Sequence, residues 1–353
     1  MVPRLRPMNC GIGDYAFGLA EEWRGKNKDC VSFIVTDPGW RPQEESNGAI
    51  FHLTVRNQHS LANLWHQVGA DHLLLHYSGY GYARRGVPVW LVRALQQLRE
   101  VRPNVKVATM FHELFAFGPP STSAFWLSPF QRWVAAHVAR LSDVALTNRK
   151  ASATWLERHA PRHRGAIRVL PVFSNLGEVE DAPPPSQRDN HLVFFGYQAK
   201  LWDADLIGLR RVLQGLKPDR VTLLGHAANF PANAFGSVPV ECTGWLAAES
   251  VSAVLCTARY GLMAYHPEYL GKSGILAAYL AHGVVPIFAQ GDKSLSEGLE
   301  RGKHLLAAAD LEKPVSLEQL DAISAAGREW YRPHDRHHTA LAFAAHLDRW
   351  FHT

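Results

Sequence analysis

Five short stretches combine residue types that can bind or move charge. "KSG", residues 272–274, sets an ammonium, a hydroxyl and a glycine directly ahead of the apolar run "ILAAYLAHG". A helix starting there offers unpaired N–H groups and the positive end of its dipole, so Lys272, Ser273 and Gly274 read as the first turn of a helix ending near His282 and as an anion site, an ordinary helix cap being the alternative. Lys200 follows Gly196 just past the run "HLVFFG" and supplies a second mobile positive charge suited to phosphate. His112 and Glu113 close the run "KVATMF", where an open parallel sheet places its ligand groups, and His76, Tyr77 and Ser78 close the preceding run in the same way. Gly11 and Gly13 in "GIGD", with Asp14 beside them, mark a turn that a ligand or backbone can approach closely, or a plain tight turn. No third glycine completes a dinucleotide fingerprint there.

The elements that must carry these residues are legible as alternation. Continuous apolar runs at 31–36, 72–77, 106–111, 143–148 and 167–172 are separated by helix-forming sequence. Such runs belong to strands buried on both faces, hence to a parallel sheet wound on both sides by helices. "NLGEVEDAPPPSQRDN", 175–190, interrupts with three consecutive prolines and reads as a linker. The alternation restarts at 191–196, 220–225, 238–244, 260–265 and 284–289. The expected fold class is therefore α/β, with two Rossmann-like doubly wound domains facing across a cleft: 1–174, then 191–332, and a closing helix over 333–353 set off by Pro333. The sequence before "GIGD" holds two prolines and two arginines, so the first strand is expected to be short or irregular.

Composition narrows the classes of function. A chain of 353 residues with 47% hydrophobic and 20% charged residues folds, and its length fits two domains. Four scattered cysteines indicate neither a zinc knuckle nor a disulfide framework and point to a reducing cytoplasm. No apolar run reaches the roughly 20 residues of a membrane helix, and no signal peptide is expected. The net charge of +5 is divided unevenly: residues 1–175 hold 21 Lys+Arg against 12 Asp+Glu, or +9, leaving 16 against 20, or −4. A basic first half implies an anionic partner or a solvated basic face, and with no recognition motif beside it nucleic acid is the partner least expected.

On these motifs the chain resembles the GT-B glycosyltransferases of the family 4-like group. "GIGDYAFGLAEEW" matches the N-terminal glycine-rich loop and helix, "TMFHE" the strand ending in an active-site histidine, and "VFFGYQAK", "CTGWLAAESVSAVL" and "KSGILAAYLAHGVVPI" the second domain. The resemblance implies a nucleotide-diphospho-sugar donor on the second domain and a glycan, lipid-linked or small-molecule acceptor on the first. It implies transfer with retention, and no metal or other cofactor, since protein cations hold the diphosphate. Lys200, Gly196, Lys272, Ser273 and Gly274 would then meet the phosphates, and Gly244, Trp245 and Leu246 the base. His112 would touch the transferred sugar, with Glu268 as the donor-side carboxylate, and Gly11, Gly13, Asp14, His76, Tyr77 and Glu113 would line the acceptor side. Leu276 stands where the family carries its second glutamate, which leaves a catalytically degenerate nucleotide-sugar or transferase-binding protein as the alternative. The basic half, through 149–168, Arg84, Arg85, Trp155 and the "FAFGPP" loop, is expected to dock reversibly on anionic membrane at its cytoplasmic face.

Overall fold

The computed structural model describes residues 1–24, 31–42, 50–195, 202–225, 235–289 and 295–351. The chain divides into two compact units, Met1–Pro171 with Thr339–Thr353, and Val172–His338.

In the first unit, helix α1 (Gly11–Arg24) precedes strands β1 (Phe33–Val35) and β2 (Ile50–His52), α2 (Ser60–Val68) and β3 (His72–Ser78). There follow α3 (Gly79–Tyr82), α4 (Val89–Val101), β4 (Lys106–Glu113), α5 (Ser123–Leu141), β5 (Val144–Thr147), α6 (Lys150–His159) and β6 (Arg168–Val169). All pairs are parallel, in the orders β1-β2 and β3-β4-β5-β6. The expected irregular first strand is a single bridge: Val2 pairs with Val35, while the Met1 carbonyl accepts from His76 N–H on β3. This short extended segment joins the two sheets into the Rossmann order, with Met1–Val2 at the point where strand order reverses. The buried residues of β3 and β4 are mostly apolar, as doubly covered parallel strands require, with His76, Ser78, Thr109 and His112 as the buried polar ones.

The second unit repeats the plan with β7 (Asp189–Phe195), α7 (Trp202–Leu216), β8 (Arg220–Leu224), β9 (Val240–Cys242), α8 (Ala248–Thr257) and β10 (Ala258–Met263). It continues through α9 (Gly274–Ala281), β11 (Val285–Phe288), β12 (Leu306–Ala307) and α10 (Leu317–Tyr331). Its parallel order β12-β11-β10-β7-β8-β9 is again the Rossmann order. The proline-rich stretch expected as a linker is tied into this unit. Arg188 is buried and donates to the carbonyls of Pro183, Leu255, Ala258 and His282, and Tyr331 Oη bonds both Ser174 N–H and the Glu178 carboxylate. A buried guanidinium with its donors satisfied this way costs little and holds three segments together.

The final helix α11 (Arg336–Phe351) is divided between the units at Thr339. Within the first, Trp23 donates its indole N–H to the Ala340 carbonyl and sets its ring edge-on to Phe343. Among the described residues no helix is long and apolar enough to cross a membrane.

Candidate active site

In the first unit the chemistry gathers at the C-terminal ends of β3 and β4. The register there slips: Tyr77 pairs with Phe111, but the next residue, Ser78, pairs with Glu113. His112 is thus the extra residue of a β-bulge, a device that re-aims a side chain at the end of a strand. Its Nε2 lies 3.1 Å from Nδ1 of His76, the rings are stacked, and both are buried. One imidazole donates and the other accepts, which commits Nε2 of His112 and leaves Nδ1 as the ring atom not engaged with His76. Burial, reinforced by the neighbouring imidazole and the Met1 ammonium, holds the His76 pKa well below the ordinary histidine value, so His76 is neutral near pH 7.

Tyr15 on α1 sets its ring edge-on to both histidines, and Asn148 donates to the His112 carbonyl at 3.5 Å. Neither residue stands out in the sequence. The only available signal for Tyr15 is its position one helical turn after Gly11, on the face that carries Leu19 into the core. Asn148 follows directly on β5, whose termination point depends on its partner.

The remaining first-unit expectations are redistributed. Gly11–Asp14 is the opening turn of α1 and not a loop ahead of it. Gly11 is open, whereas a Cβ on Gly13 would collide with the Arg4 carbonyl, so Gly13 serves helix packing. Asp14 pairs with Arg6 at 3.2 Å. Tyr77 is fully buried in the core with its ring against Phe111. Glu113 is half-buried, close enough that its charge helps burial to raise the Tyr77 pKa. A separate cavity of about 580 Å³ lies between α1, β3 and α11, with His76 in its wall.

In the second unit, β10 runs into a 3-10 turn, Pro267–Lys272, and then α9. Lys272 therefore belongs to the 3-10 turn and not to the first turn of the helix; the sequence "PEYLGK" favours this because Pro267 fixes its first position. Its ammonium sits 4.8 Å from the centre of the Tyr269 ring. Ser273 is the N-cap, its hydroxyl accepting from Leu276 N–H at 3.2 Å, so this group caps α9 before it serves any ligand. Gly274 is exposed with nothing near its Cβ position, and Glu268 is exposed on the same turn. Helix α9 is buried nearly all round, and Tyr279 Oη reaches the carbonyls of Val193 and Leu262 on two strands. The turn is thereby held on a rigid base.

Gly244, in the left-handed region at φ +63°, ends the β9 excursion and presents Trp245 with most of its surface exposed and Leu246 beside it. This loop and the Lys272 turn leave the C-terminal edge of one parallel sheet, where such folds bind ligands. Gly196 and Lys200 lie outside the described residues. Among the described residues no cluster of three or more His, Cys, Asp and Glu could hold a metal ion.

No family model matches the chain, and no curated protein matches it. Solved structures do. HepE from Anabaena in complex with UDP and glucose aligns at a TM-score of 0.65 with 12% identity, over 98% of this chain and 98% of that one. An α-glucosyltransferase in complex with UDP and a 13-mer DNA aligns at 0.61 with 10% identity over 96% and 95%. The lipopolysaccharide outer core galactosyltransferase WaaB aligns at 0.59, also with 10% identity, over 96% of each chain. What is shared is the fold. It is the α/β, GT-B fold of glycosyltransferases, with two Rossmann-like units carried on nearly the whole chain.

Proposed function

We propose that the protein is a glycosyltransferase that moves a sugar from a nucleotide-diphospho-sugar to a glycan, lipid-linked or small-molecule acceptor. The observation that carries this is end-to-end likeness to a glycosyltransferase fold solved with UDP and glucose. In this reading the donor diphosphate meets Gly274 and the open N–H groups of α9, with Lys272 and Lys200 as its cations. The base meets Gly244, Trp245 and Leu246. Leaving-group charge grows on the diphosphate as the glycosidic bond breaks, so fixed dipoles and cations there favour the transition state over the ground state. His112, re-aimed by its bulge and held by neutral His76, faces the transferred sugar. Transfer proceeds with retention and without a metal in this reading, and Glu268 is the donor-side carboxylate.

A binding-only protein is favoured by one residue. Leu276, at the place of the family's second glutamate, is buried in α9 and offers no carboxylate. A thermal-shift screen against UDP, GDP, ADP and dTDP and their sugars, followed by donor-consumption assays, separates the readings. Stabilisation by a nucleotide sugar with turnover supports transfer; stabilisation without turnover supports the second reading; no stabilisation by any nucleotide removes both.

A further inference from the structure

The solvent face of α5 is aromatic. Trp126, Phe130 and Trp133 fall at helical spacing on one stripe and are 67%, 60% and 46% exposed, with Phe125 beside them and Phe117 exposed in the preceding loop. The opposite face, Gln131, Val134, Ala135 and Val138, is buried in the first unit's core, so the outward stripe is an addition to what folding needs. Trp126 donates its indole N–H to the Pro120 carbonyl and Trp133 packs its ring, tilted, against His137, which orders the rings in their exposed positions.

The surrounding charge identifies the partner. Residues 114–142 contain no Asp or Glu. Arg132 is exposed over the Phe115 and Phe117 rings, and Gln131 bonds the Arg85 carbonyl and the Tyr80 hydroxyl, placing the exposed Arg84–Arg85 pair against the same helix. Exposed Arg140, near the end of the same helix, bonds the backbone at His159. Trp, Phe and Arg on a helix that itself carries no acidic residue is the composition of a helix that lies in an anionic lipid interface, rings among the acyl chains and guanidinium groups among the headgroups.

We infer that the α5 face, and not the 149–168 segment, seats the protein on anionic membrane. Trp155 on α6 is partly buried against Phe115 and His159 and is not available as an anchor. Helix α5 starts in the loop that leaves the His112 end of β4, so its aromatic N-terminal half lies at the end of the sheet that carries the histidine pair. That placement suits the lipid-linked acceptor of the proposed function, but binding itself requires neither donor nor turnover.

The test is co-sedimentation of the full chain, without nucleotide, on vesicles of phosphatidylcholine alone or mixed with phosphatidylglycerol, at low and high salt. The wild type binds the mixed vesicles and is released by salt. The triple variant Trp126→Ser/Phe130→Ser/Trp133→Ser binds at least roughly tenfold more weakly, because three apolar contacts with lipid are lost. The variant Arg84→Glu/Arg85→Glu loses the preference for anionic lipid. Wild-type indifference to phosphatidylglycerol overturns the inference, as does unchanged binding by the triple variant with an unchanged circular dichroism melt. So does sedimentation equilibrium showing a wild-type dimer that the triple variant converts to monomer with no lipid dependence, which would make the face a self-interface. Donor consumption is read separately, so failure of the transfer reading leaves this result standing.

Discussion

A hydrogen bond between two buried imidazoles needs one donor and one acceptor, so the His76–His112 pair cannot be fully protonated and keep its 3.1 Å contact. Each partner then has a distinct expected phenotype. If the proposed transfer holds, His112→Ala removes the group assigned there to the transferred sugar, and turnover should fall by about a hundredfold while nucleotide affinity by calorimetry stays within about twofold. Equal losses in both would make His112 a binding residue. His76→Phe keeps the packing but leaves His112 without its partner, so activity should fall less and its pH profile should shift; a profile parallel to the wild type would reduce His76 to packing. Lys272→Ala should weaken UDP binding by on the order of tenfold with the melting temperature unchanged. Unaltered affinity would confine Lys272 to its contact with Tyr269.

The two glycines at the start of α1 illustrate what an element demands of its residues. A methyl at Gly13 meets the Arg4 carbonyl, whereas a methyl at Gly11 meets nothing within 4 Å. Gly13→Ala should therefore cost about 1–3 kcal/mol, and Gly11→Ala should leave the thermal midpoint in place. Equal melting curves for the two variants would contradict this helix placement. Both glycines look alike in "GIGD", because the collision is with a segment whose position only the folded sheet sets. The same limit explains other differences. The runs that became β3, β4, β7, β8, β10 and β11 were readable, since doubly buried strands need continuous apolar sequence. Strands β2 and β12, of three and two residues, carry too little pattern to announce themselves. The bulge at His112 depends on register between strands, which one strand's sequence does not encode. In β3, burial on both faces hid that His76 would pair with His112 while Tyr77 packs into the core. The aromatic residues of α5 have the composition of core material, and only the packing of Gln131, Val134, Ala135 and Val138 into the unit turns them outward.

Across the whole molecule, histidine burial sets how stability responds to acid. His76 and His163 in the first unit, and His191, His282, His304 and His334 in the second, all have pKa values below the ordinary 6.5, in each case chiefly because burial disfavours the charged ring. For His191 and His334 the value falls to about 4. The unfolded chain binds protons at these histidines near pH 6.5, and the folded chain resists until lower pH. Stability is therefore fully present above about pH 6.5 and is lost as pH falls toward 4. His334, enclosed by the rings of Trp330 and Tyr331, contributes a loss of about 2 kcal/mol at pH 5. Two ion-paired aspartates do not mask this window: burial pushes Asp37 and Asp143 up, but the hydrogen bonds and charges of Arg4 and Arg99 hold them below the usual range on balance, so their contribution is lost only in stronger acid. Thermal melts by circular dichroism from pH 7.5 to 4.5 should show the midpoint falling steadily below pH 6.5, with the sharper loss in the second unit, which holds four of the six histidines. A midpoint that stays level down to pH 4.5 would mean that these rings take up protons without opening the fold, and the burial account of their pKa values would be wrong.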